Sequence, residues 1–279
     1  MKIALYSKFP TAEGKAFIAE VIRFLKEEGA TTHEVLGTPT DRQELSAFRP
    51  DFLFSIGGDG TFIDAANIVG SSNIPILGIN TGRIGFLTNI NRQNFKEAYK
   101  DLKTNDYQLE KRILLHVESD DEKEFPAHFA LNDISVHPSG ESINAIQVWA
   151  DGEKVNTYWG DGVIVTTPTG STAYSLSCGG PILVPTAEVI VITPIASHSL
   201  TVRPIVLPAN CKIKLKVESR SHEFVLAMDS HRITISDSTT LTITKESFTI
   251  QTIRLPNADF YSVIREKLLW GLDKRNNSN

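Results

Sequence analysis

The chain has 279 residues, 41% of them hydrophobic, which suits one large or two ordinary domains. A net charge of −5 argues against a general nucleic-acid binder, and no apolar run approaches the roughly 20 residues that span a membrane. The opening "MKIALYSKFP" reads as a first strand rather than a signal peptide, and Cys178 and Cys211 lack metal-type spacing, so a cytoplasmic protein with reduced thiols is expected.

The first hundred residues alternate between strand and helix signals. Residues 2–7 read as a strand. Residues 14–28 place Phe17, Ile18, Val21, Ile22 and Leu25 on one helical face, with Gly29 placed to end it. Thr40 and Gln43 form a capping-box pattern for a short helix. Residues 51–56 read as a buried strand, 61–69 as a helix and 74–80 as a strand. Residues 91–103 close the region as a helix, with Phe95, Ala98, Tyr99 and Leu102 on one face. Such alternation implies a parallel sheet covered by helices.

Past residue 107 short alternating strands dominate: 114–119, 128–137, 143–150, 153–159, 162–167, 211–219, 223–230, 232–238, 240–244 and 248–254. Asp151-Gly152 is a hairpin signal between two of them. The expected layout is an α/β domain over 1–106 and a mostly antiparallel β domain over 107–254. A helical segment and tail follow over 255–279. The helix, 259–272, would return to the first domain, and the polar tail from 273 would fray.

"FSIGGDGTFIDAA", residues 54–66, runs from a strand through three glycines and an aspartate into a helix. Free backbone N–H groups and the helix dipole make such a turn a phosphate cradle. Asp59 belongs there only if it binds a metal or accepts a proton from an attacking hydroxyl, which points to phosphoryl transfer. The bland alternative is a structural turn in which Asp59 caps the helix. Neither a Walker A nor a full G-x-G-x-x-G is present, since Ala16 follows Lys15 and Ile63 replaces the third glycine.

Three more stretches carry polar groups where a ligand could use them. "GINTGRIGFL", 78–87, follows a strand, and its Arg83 could meet a phosphate or simply be solvated. "LNDISVH", 131–137, sets Asn132 and Asp133 inside an apolar strand, as acceptors suited to sugar hydroxyls or as a wet strand end. "GDGVIVTTPTGSTAYSLSCGGPI", 160–182, masses Thr169, Ser171, Thr172 and Tyr174 at the start of a helix that Gly179 and Gly180 end. These could hold a purine, ribose or phosphate. The seven histidines show no metal-ligand spacing, and Lys212, Lys214 and Lys216 read as one solvated face.

In this order and spacing, "GGDGT", "NTGRIGFL", "LNDISVH" and the 160–182 stretch resemble the NAD kinases, from about residue 52 to "MDSH" at 228–231. The resemblance implies transfer of the terminal phosphoryl of ATP to the 2′-hydroxyl of the adenosine ribose of NAD. It also implies a divalent metal, usually Mg²⁺, and a homodimer or homotetramer. Asp59 would be the general base, while Gly57, Gly58, Gly60 and Thr61 would cradle phosphates. Asp59 and Gly60 would also meet NAD. Asn132 and Asp133 would contact the dinucleotide and Asp161 its nicotinamide half. Thr169, Thr172, Ala173, Tyr174, Ser175, Leu176 and Ser177 would line the adenine and ribose site, with Ala196 against the ligand. His231 stands where relatives often carry Gln or His. Two departures remove positive charges found in relatives: Trp159 and Asp64. The alternatives are a lipid or sugar kinase sharing the glycine-aspartate turn, and a dinucleotide-binding module without catalysis.

Overall fold

Thr11 opens the first helix by accepting the Gly14 amide at 3.1 Å, and Gly29, at φ +80°, turns the chain out of it. Local signals of this kind set most of the elements in this computed structural model. It describes residues 1–8, 11–38, 41–82, 85–88, 90–121, 125, 129–140, 144–256 and 258–270. Thr40, Arg83, His128 and the tail beyond 270 lie outside the described residues.

The chain divides into two units, residues 1–111 with 250–279, and residues 112–249. The first runs β1 (Lys2–Tyr6), α1 (Ala12–Glu27), β2 (Thr31–Val35), α2 (Asp41–Phe48), β3 (Phe52–Ile56), α3 (Asp59–Val69), β4 (Ile76–Ile79), α4 (Phe95–Lys103) and β5 (Gln108–Arg112). The chain returns to it as β18 (Ile250–Arg254) and α6 (Phe260–Leu268). The sheet order is β2-β1-β3-β4-β18-β5, and the pairs β1–β2, β1–β3, β3–β4 and β4–β18 are parallel. Phe17 of α1 meets Phe95 of α4 edge to face at 5.5 Å, within a core that includes Leu5, Phe54, Ile56 and Leu77. Burying each such side chain contributes about 1.5–3 kcal/mol.

The second unit contains β6 (Leu115–Ser119), β7 (Phe129–Ala130), β8 (Asp133–Pro138), β9 (Asn144–Ala150), β10 (Glu153–Gly160) and β11 (Gly162–Thr166). After the short helix α5 (Tyr174–Ser177) come β12 (Val189–Ile195), β13 (Ile205–Pro208), β14 (Ile213–Glu218), β15 (Glu223–Met228), β16 (His231–Ser236) and β17 (Thr240–Lys245). They form two antiparallel sheets, β10-β9-β14-β17-β6-β7 and β13-β12-β11-β8-β15-β16. Alternation drives the packing: in β14, Ile213, Leu215 and Val217 are buried while Lys214 and Lys216 face water. One core cluster draws on both sheets, Val117 and Val148 from one, Val136, Val165 and Phe224 from the other. Asp151 and Gly152, at φ +49° and +88°, make the anticipated hairpin turn.

Four expectations change. The strand read at 248–254 is β18, which pairs in parallel with β4 through Thr252 and Ile76 rather than joining an antiparallel sheet. With β5 it shifts the two boundaries, read at 106 and 254, to 111 and 249. Helix α4 starts at Phe95, because Asn91 Oδ1 accepts the Gln93 and Asn94 amides and holds a turn there. The single strand read over 128–137 is broken at Leu131 and Asn132, for a reason that belongs to the site. Strands β12 and β13 went unread. Helix α6 does return to the first unit: the Lys267 ammonium lies 4.6 Å over the Phe86 ring.

Candidate functional site

In the first unit β1 and β3 are neighbours, yet β1 leads through α1 to β2 on its far side. The strand order therefore reverses between them, and ligands of open α/β sheets bind at the carboxyl ends of strands flanking such a point. The end of β3 carries Gly57, Gly58, Asp59, Gly60 and Thr61. Gly57 must be glycine, because a Cβ there would fall on the Thr61 side chain. Gly58 and Gly60 face open space, and Gly58 precedes the first turn of α3, whose N–H groups have no partner within the helix.

Asp59 does not cap α3. It is the helix's first residue, and its carboxylate reaches across to the next loop. Oδ1 accepts the Leu87 amide at 3.0 Å, the Thr88 amide at 3.1 Å and the Thr88 hydroxyl at 3.0 Å. Oδ2 accepts the Phe86 amide at 2.8 Å. Gly85 makes the approach possible, since a Cβ there would fall on the Asp59 carboxylate. Gly85 of "NTGRIGFL" thus serves the carboxylate of the "GGDG" turn.

The end of β1 supplies a residue the sequence reading missed. Lys8 pairs with Asp64 at 2.8 Å. Asp64, expected to leave this place without a positive charge, thus has a cation beside it, contributed from just past the neighbouring strand. The Lys at the end of the first strand was the only signal that could have found it.

In the second unit the break after β7 is made by Asp229. Its Oδ2 accepts the Leu131 amide at 2.7 Å, and its Oδ1 accepts those of Asn132 and Asp133 at 2.8 and 3.2 Å. Amides drawn to one carboxylate cannot continue a ladder. Asp133 is 8% exposed. Burial, and then the Asp229 charge, push its carboxyl up from 3.8 to about 7. Asp229 is itself raised by burial, against the pull of its three amide donors. His231 follows two residues later, and its Nδ1 is buried without a hydrogen-bond partner.

The hydroxyl-rich stretch separates into two sets. Ser171 donates to the Pro168 carbonyl at 2.7 Å, and Ser175 bonds Thr193 at 2.8 Å; both are fully buried. Thr169 Oγ1 is buried and has no partner, and Tyr174 is exposed. Thr172, Ala173, Leu176 and Ser177 keep at least partial exposure. Tyr174 stacks on His137 at 6.0 Å, and burial lowers the His137 pKa, favouring the neutral ring. Asp161 is exposed, and its amide donates to the Ile195 carbonyl, which sets it beside Ala196. Trp159 is 55% exposed.

Family models match both halves of the chain: the ATP-NAD kinase N-terminal domain over residues 18–107 and the ATP-NAD kinase C-terminal domain over 131–255. The chain belongs to the ATP-NAD kinase family. An NAD kinase of Cytophaga hutchinsonii is 41% identical over 86% of this chain and 82% of its own length. One of Bacteroides fragilis is 39% identical over 99% of this chain and 100% of its own. Among solved structures, an Archaeoglobus fulgidus NAD kinase in complex with ATP superposes with a TM-score of 0.79 at 26% identity. It covers 96% of this chain and 99% of that one. Yeast NADH kinase complexed with NADH has a TM-score of 0.85 at 23% identity, over 98% and 88%, and shares the fold.

The ATP-NAD kinase assignment implies a divalent metal. Among the described residues no group of three His, Cys, Asp or Glu side chains could hold one. Asp59 spends Oδ1 on three donors. These residues therefore do not form a resident metal cage. No described helix is long and apolar enough to cross a membrane.

Proposed function

We propose that this chain transfers the terminal phosphoryl of ATP to the 2′-hydroxyl of the adenosine ribose of NAD, giving NADP and ADP. The attacking ribose oxygen forms a bond to the γ-phosphorus while the bond to the β-phosphate oxygen breaks. The hydroxyl proton passes to Asp59. Oδ2 is the oxygen for it, because Oδ1 already accepts three hydrogen bonds and Oδ2 accepts one. Gly58, Gly60 and Thr61 offer backbone donors to the ATP phosphates; the Gly57 amide donates instead to the Ile79 carbonyl at 2.9 Å, so Gly57 serves the cradle by its missing side chain, which lets Thr61 pack against it. Mg²⁺ would enter bound to those phosphates, as part of the substrate.

For NAD, Asn132 and Asp133 supply hydroxyl acceptors. Thr169, Thr172, Ala173, Tyr174, Leu176 and Ser177 line the adenosine half, with Ser175 bracing them from below. Asp161 and Ala196 receive the nicotinamide half. His231 offers its unpaired Nδ1. The observation that carries the reading is that Thr169 Oγ1 and His231 Nδ1, both named for this ligand from sequence, are buried polar atoms left without a partner. The exposed Trp159 supports assembly as a homodimer or homotetramer. The proposed setting is the cytoplasm, with small molecules as the partners and no nucleic acid or membrane.

The test is purified protein with ATP, Mg²⁺ and NAD, leaving out each in turn, with NADP read by an NADP-specific dehydrogenase. NADP only in the complete mixture is expected. Phosphorylation of a lipid or sugar in place of NAD would overturn the reading.

A further inference from the structure

Residues 131–133 have every backbone polar group engaged. Asp229 takes the three amides, and its own amide donates to the Asp133 carbonyl at 3.0 Å. From the other side the Thr167 hydroxyl donates to the Leu131 carbonyl at 2.6 Å. The Thr167 amide and the Thr166 hydroxyl both donate to the Asn132 carbonyl at 2.9 Å. Gly170 lets its loop close onto that carbonyl, where a Cβ would collide with the Asn132 oxygen. Only the side chains of Asn132 and Asp133 stand outside this network.

Three amides converging on one point need an acceptor with several lone pairs, which a carboxylate supplies. The arrangement is costly, because it sets a second buried acid beside Asp133. A fold needing only a turn between β15 and β16 has no use for that acid. We infer that Asp229 is a positioning residue for NAD, fixing the 131–133 backbone so that the Asn132 and Asp133 side chains are presented to the dinucleotide. The inference rests on the NAD reading above. Asp133 is faced by Asp229 and, beyond it, His231. It acts in turn on Tyr174 and Cys178, while Arg232 acts on Tyr174 and His137. Asp229 is the group that most directly ties the Asp133 proton to this backbone.

The experiment compares the whole protein with Asp229→Asn. Asparagine tolerates the φ of +49° at this position, so backbone strain does not confuse the result. In ligand-free protein, amide exchange of residues 131–133 should quicken. The Kd for NAD should rise about tenfold or more, as expected for losing hydrogen bonds to a charged group, with the KM for ATP unchanged. The pH midpoint of NAD binding should fall, since the charge that raises Asp133 is gone. NAD binding with the parent Kd and midpoint, or equal losses for NAD and ATP, would overturn the inference. If the parent binds no NAD, the NAD reading fails, and unchanged exchange would separately reject the clamp. Should Asp229→Asn not fold, Thr166→Val withdraws one bond from the opposite side. It should weaken NAD binding to a smaller extent, and an unchanged Kd there would count against the inference.

Discussion

Asp59 and Asp229 do the same thing in different units. Each carboxylate collects three consecutive backbone amides, 86–88 for one and 131–133 for the other. The difference lies in what surrounds them. Asp59 stands at a helix start with open space over Gly58 and Gly60, and its carboxylate is met by the 86–88 amides and the Thr88 hydroxyl. Asp229 is desolvated and sits against Asp133. The first keeps partial exposure, as the proposed base requires; the second has its carboxyl desolvated by burial, as the proposed positioning role allows. Three amides gathered on one carboxylate therefore do not by themselves assign a role to it.

The largest effect that can break this comparison comes from Asp59→Asn. Losing a general base costs about 10²–10⁴-fold in kcat. The amide nitrogen would also oppose the 86–88 donors, so the loop should loosen. Steady-state kcat and the Kd for NAD, measured together, check this. A kcat within a few-fold of the parent would show Asp59 to be a second clamp and nothing more.

Two glycines sharpen the contrast next. Gly85→Ala crowds Asp59, and Gly170→Ala crowds Asn132. A displacement of about 1 Å at a reacting group can cost about 10²-fold. Gly85→Ala is expected to lower kcat, and Gly170→Ala to raise the KM for NAD. The reverse assignment would mean the two clamps have been given the wrong tasks.

Titration separates them further. Asp133 moves from 3.8 to about 7 on folding. A raised value means the folded state binds the proton more tightly, so this contribution to stability is complete below about 3.8. It is lost as pH rises through about 7. Denaturant midpoints should fall as pH rises from 3.8 to about 7 and level off above that, and Asp133→Asn should flatten that slope. A slope unchanged by Asp133→Asn would place the titration elsewhere.

The smallest effect belongs to Lys8 and Asp64. The pair is partly exposed, and such pairs contribute about 0–1 kcal/mol. Lys8→Gln should shift the unfolding midpoint only slightly. A marked rise in its KM for ATP would promote Lys8 to a phosphate contact.

Sequence made the glycine-aspartate turn visible because glycines beside an aspartate are rare within regular structure. It could not show what Asp59 holds, because the partners lie 27 to 29 residues onward and are backbone amides that any sequence supplies. Asp229 was hidden for the same reason at 96 to 98 residues. Strand β18 was legible as a strand but not as a member of the first sheet, since alternation names a half-buried strand and not its neighbours. Thr169 and Ser175 looked alike in one hydroxyl-rich run. Only burial and partners separate the unpaired group from the bonded one.

Strand β18 lies between β4 and β5 in the first sheet, though the chain makes it after the whole of residues 112–249. On the ribosome the first sheet must therefore wait with a gap beside its edge strand β5. At about 5–20 residues per second the wait is on the order of ten seconds, while the second unit has all its strands in hand. The unit that begins first in the sequence is the one completed last. A chain cut short between residues 112 and 250 leaves β4 and β5 with open edges where β18 belongs.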